Sequence, residues 1–381
     1  MKSNCDGTKG GMVVLGNWKK GGAVLALACC LCLPQAWGAA KPAAKAPAVS
    51  ATLLQQGDSA YAAQDYAQAE TVFGTVIQQD KTAAAVYVKR GNARYAQKRY
   101  QEALEDYNQA LELAPNSWNW YEQRGNAYLA LEQWQQAADD YGKAALNSAL
   151  SPDGFMYRGR ALATLGQHQK AAEAYGQAMA LLAARADLLA ARAGELMYLG
   201  EWEAALIDYD EALKRQPGQA YWLYNRGNVQ RKLGRNEGAM ADYNAAVQAE
   251  PKLAMAYYQL ANMQAAGEDL NGAIDNYTRA IEAQPEQAMF WHNRGALFLR
   301  QQKESEALAD FRKALSLQPE YGLAYYSKAL ALESLSRKQG GWGQDLLQET
   351  IGAYEQYLKY AGDDASRRDW VEKRLKELRN S

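Results

Sequence analysis

The sequence predicts an all-α fold, a right-handed superhelical solenoid of stacked antiparallel helix pairs. It comprises eight regular 34-residue units, a ninth irregular unit and a C-terminal capping helix. Three observations carry this. Gly57, Gly91, Gly125, Gly159, Gly227 and Gly295 share one 34-residue register, with Ala193 and Ala261 in the two slots between. Twelve residues after each comes alanine: Ala69, Ala103, Ala137, Ala171, Ala205, Ala239, Ala273 and Ala307. Four further on comes an aromatic: Phe73, Tyr107, Tyr141, Tyr175, Tyr209, Tyr243, Tyr277 and Phe311.

Steps of three and four residues are the period of one helix face. Small residues in both halves of a unit let two helices approach closely, and the aromatic fills the space they leave. Pro115, Pro217, Pro251, Pro285 and Pro319 end second helices, because proline cannot continue a hydrogen-bonded turn. One such pair cannot bury its apolar faces alone and must stack on neighbours.

Ahead of the repeats, residues 1–40 read as a secretory signal peptide. Lys19 and Lys20 precede an apolar run from Ala23 to Leu33, then Pro34 and the small residues Ala36, Gly38, Ala39 and Ala40. That run is about half the ~20 residues a bilayer span needs. A start at Met12 would give a signal of more usual length. A lipoprotein box fits Ala26-Leu27-Ala28-Cys29 poorly. Residues 41–49 form a Pro/Ala linker, 50–361 the solenoid, and 362–381 the cap, where Trp370, Val371, Leu375 and Leu378 recur at helical spacing. The ninth unit, 322–361, carries its extra residues in its turn, around Gly340-Gly341-Trp342-Gly343.

The chain has 381 residues, with 42 Lys plus Arg against 43 Asp plus Glu. Beyond residue 38 the balance is 38 basic to 42 acidic, which argues against nucleic acid as a partner. All four cysteines, Cys5, Cys29, Cys30 and Cys32, lie in the leader. Without the leader there is no thiol for catalysis, disulfides or metal, in keeping with export to an oxidising compartment, the periplasm in a bacterium. His168, in a turn, and His292, in a first helix, show no partner pattern. No phosphate loop, dinucleotide glycine motif or metal spacing appears. Neither an enzyme nor a cofactor or metal site is expected.

Arginine precedes the repeat glycine slot at Arg90, Arg124, Arg158, Arg192, Arg226 and Arg294. Sixteen residues later stand Asp106, Asp140, Asp208, Asp242 and Asp310. Units one and seven lack both partners, showing Gln56 with Val72 and Leu260 with Asn276; only unit four breaks step, with Arg158 opposite Ala174. Joint presence and absence predict structural ion pairs between the helices of a unit. An anion-binding arginine stripe is the competing reading.

The spaced pattern resembles the tetratricopeptide repeat family over about residues 50–360. The resemblance implies that first helices line a concave channel and that the protein binds other proteins. On that face, two before and one after the glycine slot, stand Lys89/Asn92, Gln123/Asn126, Asn225/Asn228, Gln259/Asn262 and Asn293. Each amide offers a donor and an acceptor, so such a row can hold an extended peptide by its backbone. In the middle units Met156, Arg160, Gly194, Met197 and Tyr198 would wall a hollow, and Tyr221, Tyr224, Tyr258 and His292 would add aromatic lining. A merely solvated inner surface, or drift between repeats, explains the same residues without a ligand. The lysine of the family's co-chaperone clamp, four before the clamp asparagine, is missing: Val88, Glu122, Met156, Tyr224, Tyr258 and His292 occupy that slot. The expected function is a non-catalytic interaction scaffold of the cell envelope. A membrane-tethered assembly factor, touching the membrane through an uncleaved signal, and a glycan-binding module remain alternatives.

Overall fold

Side-chain size at a few repeated positions decides how closely two helices can lie. In the computed structural model the described residues are 51–147, 149–181, 185–360 and 365–380, and among them there are helices and no strands. The signal and linker expected at residues 1–49 lie outside the described residues.

Helix α1 (Ala51–Ala62) packs on α2 (Tyr66–Gln79), α3 (Ala84–Ala96) on α4 (Tyr100–Leu113), and α5 (Trp118–Ala130) on α6 (Trp134–Leu146). Then come α7 (Pro152–Thr164) with α8 (His168–Leu181), α9 (Ala186–Leu199) with α10 (Trp202–Arg215), and α11 (Ala220–Lys232) with α12 (Asn236–Ala249). The series ends with α13 (Ala254–Ala266) on α14 (Leu270–Ala283), α15 (Ala288–Arg300) on α16 (Glu304–Leu317), and α17 (Gly322–Lys338) on α18 (Gln344–Tyr360). First helices from α3 onward start 34 residues apart. Every helix also packs on the next in sequence, so the stack is continuous.

The eight second-helix alanines, Ala69 to Ala307, are all 0% exposed. Their aromatic neighbours sit against the glycine slot. A Cβ built on Gly227 would stand 2.7 Å from Tyr243 Cε1, and one on Gly91 2.8 Å from Tyr107 Cε1. The glycine is thus a steric requirement of the ring.

Each first helix from α1 to α15 ends the same way. The residue at position 64, 98, 132, 166, 200, 234, 268 or 302 takes φ between +57° and +76°. The next backbone N–H reaches five residues back, as Arg99 N to Arg94 O at 3.0 Å and Lys303 N to Phe298 O at 2.9 Å. That bond belongs to a left-handed helix stop, normally glycine's role. Here only Gly166, Gly200 and Gly234 are glycines; Gln64, Lys98, Glu132, Glu268 and Gln302 adopt the conformation with a Cβ. Left-handed geometry costs a non-glycine residue about 1–2 kcal/mol. Replacing exposed Lys98 by glycine should therefore raise stability by about 1 kcal/mol, read as a higher urea midpoint; an unchanged or lower midpoint contradicts this.

The last unit corrects one expectation. Its extra residues do not form a long turn: α17 and α18 have 17 residues each, against 13 and 14 in α15 and α16. Helix α19 (Ala365–Arg379) packs on α18, burying Val371, Leu375 and Leu378 beside Tyr354 and Tyr357. Glu333, 5% exposed, accepts hydrogen bonds from Arg374 Nε at 2.8 Å and Tyr354 Oη at 2.9 Å. A buried carboxylate thus fastens the final helix to the stack.

Candidate functional site

Helices two apart in sequence touch substantially only along the first-helix row, as α3 with α5, α5 with α7, α9 with α11 and α15 with α17. A stack bends towards the row whose members come closest, so first helices face its inner side.

The arginines next to the glycine slot are occupied within the fold. Arg90–Asp106, Arg124–Asp140 and Arg192–Asp208 close at 2.6 Å, Arg226–Asp242 at 2.5 Å and Arg294–Asp310 at 2.8 Å. Each aspartate is 2–4% exposed. Hydrogen bonds to Asp242 hold the Arg226 guanidinium above its ordinary pKa, against the desolvation that lowers it. Three of these arginines also reach sixteen residues backwards into the preceding unit: Arg124 Nη1 to Asn108 Oδ1 at 2.9 Å, Arg226 Nη1 to Asp210 Oδ1 at 2.8 Å, and Arg294 Nη1 to Thr278 Oγ1 at 3.0 Å. Among the described residues Arg158 has neither link, and its buried Nε has no hydrogen-bond partner.

The amide row is half-buried, and four of its carbonyls are already engaged. Tyr107 Oη donates to Asn92 Oδ1 at 2.7 Å, Tyr141 to Asn126 at 2.7 Å, Tyr243 to Asn228 at 2.8 Å and Tyr277 to Asn262 at 2.5 Å. Burial pushes the Tyr243 and Tyr277 hydroxyls up to about 12, so they stay protonated and donate. This corrects the expectation that each amide offers a free donor and a free acceptor. What these four asparagines keep is the Nδ2 group, with an orientation set by the tyrosine. Asn293 keeps less, since its Nδ2 donates to Tyr258 Oη at 3.3 Å and Tyr277 Oη at 3.4 Å. Gln123, Asn225 and Gln259 are half-buried on the same row.

Tyrosine follows asparagine at a spacing of fifteen in four units, whereas Tyr175 and Tyr209 face Arg160 and Gly194. Where the aromatic is Phe73 or Phe311, the facing slot holds Asp58 or Ala296 instead of asparagine. Asp58 pairs instead with Lys89 of the next unit.

The middle units look different from expectation. Met156 and Met197 are half-buried at the rim of the core, and Met197 Sδ lies 3.6 Å from Tyr209 Oη. Gly194 stands beside that same hydroxyl, 3.9 Å from its would-be Cβ. Tyr198, 75% exposed, lies flat on His168 with ring centroids 4.3 Å apart, so its ring is engaged by that imidazole and does not wall a hollow. His168 begins α8 and its Nδ1 meets Glu195 Oε2 at 2.7 Å. His292 is also partnered: Nε2 lies 3.0 Å from Ser327 Oγ and Nδ1 3.1 Å from Asn293 Oδ1, while burial lowers its pKa. Tyr224 packs on Tyr243, and Tyr258 on Tyr277 and Phe290, at the edge of the core. Tyr221 is 65% exposed.

A cavity of about 420 Å³ opens on the inner row across α3, α5 and α7, bringing together Tyr95, Asn126, Leu129, Trp134, Tyr157 and Arg160. A larger one, about 720 Å³, lies against α14. Its lining includes Lys252 and Arg279 as well as Asp275 and Glu282, and no residue of the amide row. The smaller cavity holds the Arg160 guanidinium, which has no hydrogen bond or ion pair among the described residues. Among the described residues no His/Cys/Asp/Glu group could hold a metal ion, and no helix is long and apolar enough to cross a membrane.

Tetratricopeptide repeat models match residues 51–82, 84–117, 123–188, 190–254 and 288–321. No curated protein matches the chain. Among solved structures it is similar to YrrB, a TPR protein with an unusual peptide-binding site, at 25% identity over 48% of this chain and 95% of that one, with a TM-score of 0.46. It is also similar to MamA from Desulfovibrio magneticus RS-1, at 22% identity over 45% and 96%, TM-score 0.42. A third likeness is to the Cut9–Hcn1 hetero-tetramer of the APC/C, at 16% identity over 74% and 56%, TM-score 0.45. Matched by repeat models along most of its helical length, the chain belongs to the tetratricopeptide repeat family, whose repeats form scaffolds for protein–protein interaction.

Proposed function

We propose that this protein is a non-catalytic scaffold holding an extended segment of a partner along its inner row of first helices. The observation that carries the reading is the set of Nδ2 groups on Asn92, Asn126, Asn228 and Asn262, fixed by their tyrosines. An extended chain presents carbonyls at regular intervals, and oriented N–H donors in a row suit it with little regard to sequence. The scaffold acts in the cell envelope: the leader's charged, apolar and small-residue order and the thiol-free body both support export. Fractionation with mass spectrometry of the N-terminus tests that part, and a full-length chain in the cytosol contradicts it.

The binding test needs a substitution that spares the fold. Alanine at these positions would strand buried tyrosine hydroxyls, at about 1–3 kcal/mol each. Aspartate keeps the acceptor for the tyrosine and replaces the outward donors by an oxygen. The triple variant Asn126→Asp, Asn228→Asp, Asn262→Asp should melt near the parent yet lose the partners that the parent captures in pull-downs. Equal capture by both proteins would end the amide-row reading.

A further inference from the structure

Position 160 breaks the row. In four other units the slot after the repeat glycine holds an asparagine tied to its own tyrosine; here it holds Arg160, over Tyr175. Burial pushes the Tyr175 hydroxyl up to about 12, opposed by the Arg160 charge. Arg160 is exposed, and its guanidinium has no hydrogen bond or ion pair among the described residues. Of the other basic groups nearby, Lys89 pairs with Asp58, and Arg158 is half-buried between the helices of its own unit, turned away from the ligand space by its burial. Around Arg160 the cavity supplies three aromatic walls, Tyr95, Trp134 and Tyr157, the methyls of Leu129 and the amide of Asn126. Among the described residues Glu132 is the only acidic group lining it, and it is exposed at the turn after α5.

We propose that this cavity anchors the partner segment through a carboxylate side chain paired with Arg160, next to an aromatic side chain seated among Tyr95, Trp134 and Tyr157. The inference rests on the reading that first helices hold an extended segment, and it adds which residues that segment carries there. At about 420 Å³ the cavity lies within the range of about 300–1,000 Å³ usual for small-ligand sites, roomy for two side chains and too small for a folded element. A planar guanidinium prefers a carboxylate, which it can hold with two parallel bonds. A hydroxyl-only ligand such as a glycan would leave that charge uncompensated. The body's acidic excess gives no long-range pull on nucleic acid. The device also differs from the family's lysine clamp, whose slot here holds Met156 in α7 and Glu122 in α5.

Four dye-labelled, end-capped Gly/Ser peptides with central Asp-Phe, Asn-Phe, Asp-Ala or Asn-Ala test it by fluorescence anisotropy against the full chain. The Asp-Phe peptide should bind about tenfold tighter than either single change, the worth of one charge-assisted contact or one seated ring. Arg160→Gln, with a melt matching the parent, should erase the Asp-over-Asn preference and keep the Phe-over-Ala preference. Equal binding of Asp-Phe and Asn-Phe, no binding of Asp-Phe, or a preference surviving Arg160→Gln overturns the proposal. Asn92→Asp, on the row but outside the cavity, separates the two ideas. If it weakens all four peptides equally while they show no mutual preference, the row stands and the anchor falls. If it changes nothing while Arg160→Gln removes the preference, the anchor stands and the row falls.

Discussion

Replacing Asp242 with alanine is expected to cost about 3–5 kcal/mol of stability, the cost of removing one partner of a buried pair. The carboxylate is 4% exposed and accepts three hydrogen bonds: Arg226 Nε at 2.8 Å, Arg226 Nη2 at 2.5 Å and Gln230 Nε2 at 2.7 Å. Without it a half-buried guanidinium keeps only Asp210, on the neighbouring unit and largely exposed. That remaining link should bring the loss towards the lower end of the range. Solenoids unfold by units and interfaces, so hydrogen exchange on α11 and α12 is the sharper readout beside a urea melt. The double variant Arg226→Ala/Asp242→Ala should be less damaging than the two single changes summed, because it leaves no unpaired charge. A loss below about half a kcal/mol would mean the pair behaves like an exposed one.

Asp242 also shows why some of this architecture is legible in a sequence and some is not. Pairs within one unit recur at constant spacing, so Arg226 with Asp242 repeats as Arg90 with Asp106 and Arg294 with Asp310. The helix spans themselves follow from the same register. Contacts between units repeat less regularly. The residue sixteen before the arginine is Asn108, Asp210 or Thr278 in some units and Gly74, Gly142 or Gly176 in others, so no pattern announces the backward bond. The left-handed turn is hidden because only Gly166, Gly200 and Gly234 mark it; elsewhere the surrounding helices impose it on a residue that disfavours it.

The candidate site was legible in its members and not in its geometry. Asn92, Asn126, Asn228 and Asn262 stand out as a row, yet a row says nothing of what each carbonyl accepts. The aromatic at the next repeat position decides that, through a hydroxyl that phenylalanine lacks. The middle units misled for a related reason. Gly194 suggests empty space only if Tyr209 is ignored, and Tyr198 faces the trough only if His168 offers it no stacking surface. Both neighbours belong to second helices, Tyr209 in the same unit and His168 in the preceding one, and come close only after those helices have packed.

Installing the missing carboxylate, Ala174→Asp, should stabilise the protein by about 2–3 kcal/mol, most of what breaking such a pair costs elsewhere. Arg158 lacks both of the partners its counterparts use: Ala174 stands sixteen residues ahead, where Asp106, Asp140, Asp208, Asp242 and Asp310 serve other units, and Gly142 sixteen behind. Burial accordingly pushes its guanidinium below the ordinary value, and its Nε is sealed without a bond. Ala174 is 1% exposed, so the new side chain would enter a closed space, but five units already hold aspartate at 2–4% exposure in that slot. Glu173 beside it is no obstacle, since Glu105-Asp106 and Asp139-Asp140 place like charges at the same two positions. The gain should vanish in an Arg158→Ala background, where the added carboxylate would be buried alone and the sign should reverse. If Ala174→Asp destabilises both backgrounds alike, the slot in unit four is closed to a side chain, and Arg158 is held in place by packing of its stem, not by want of a partner.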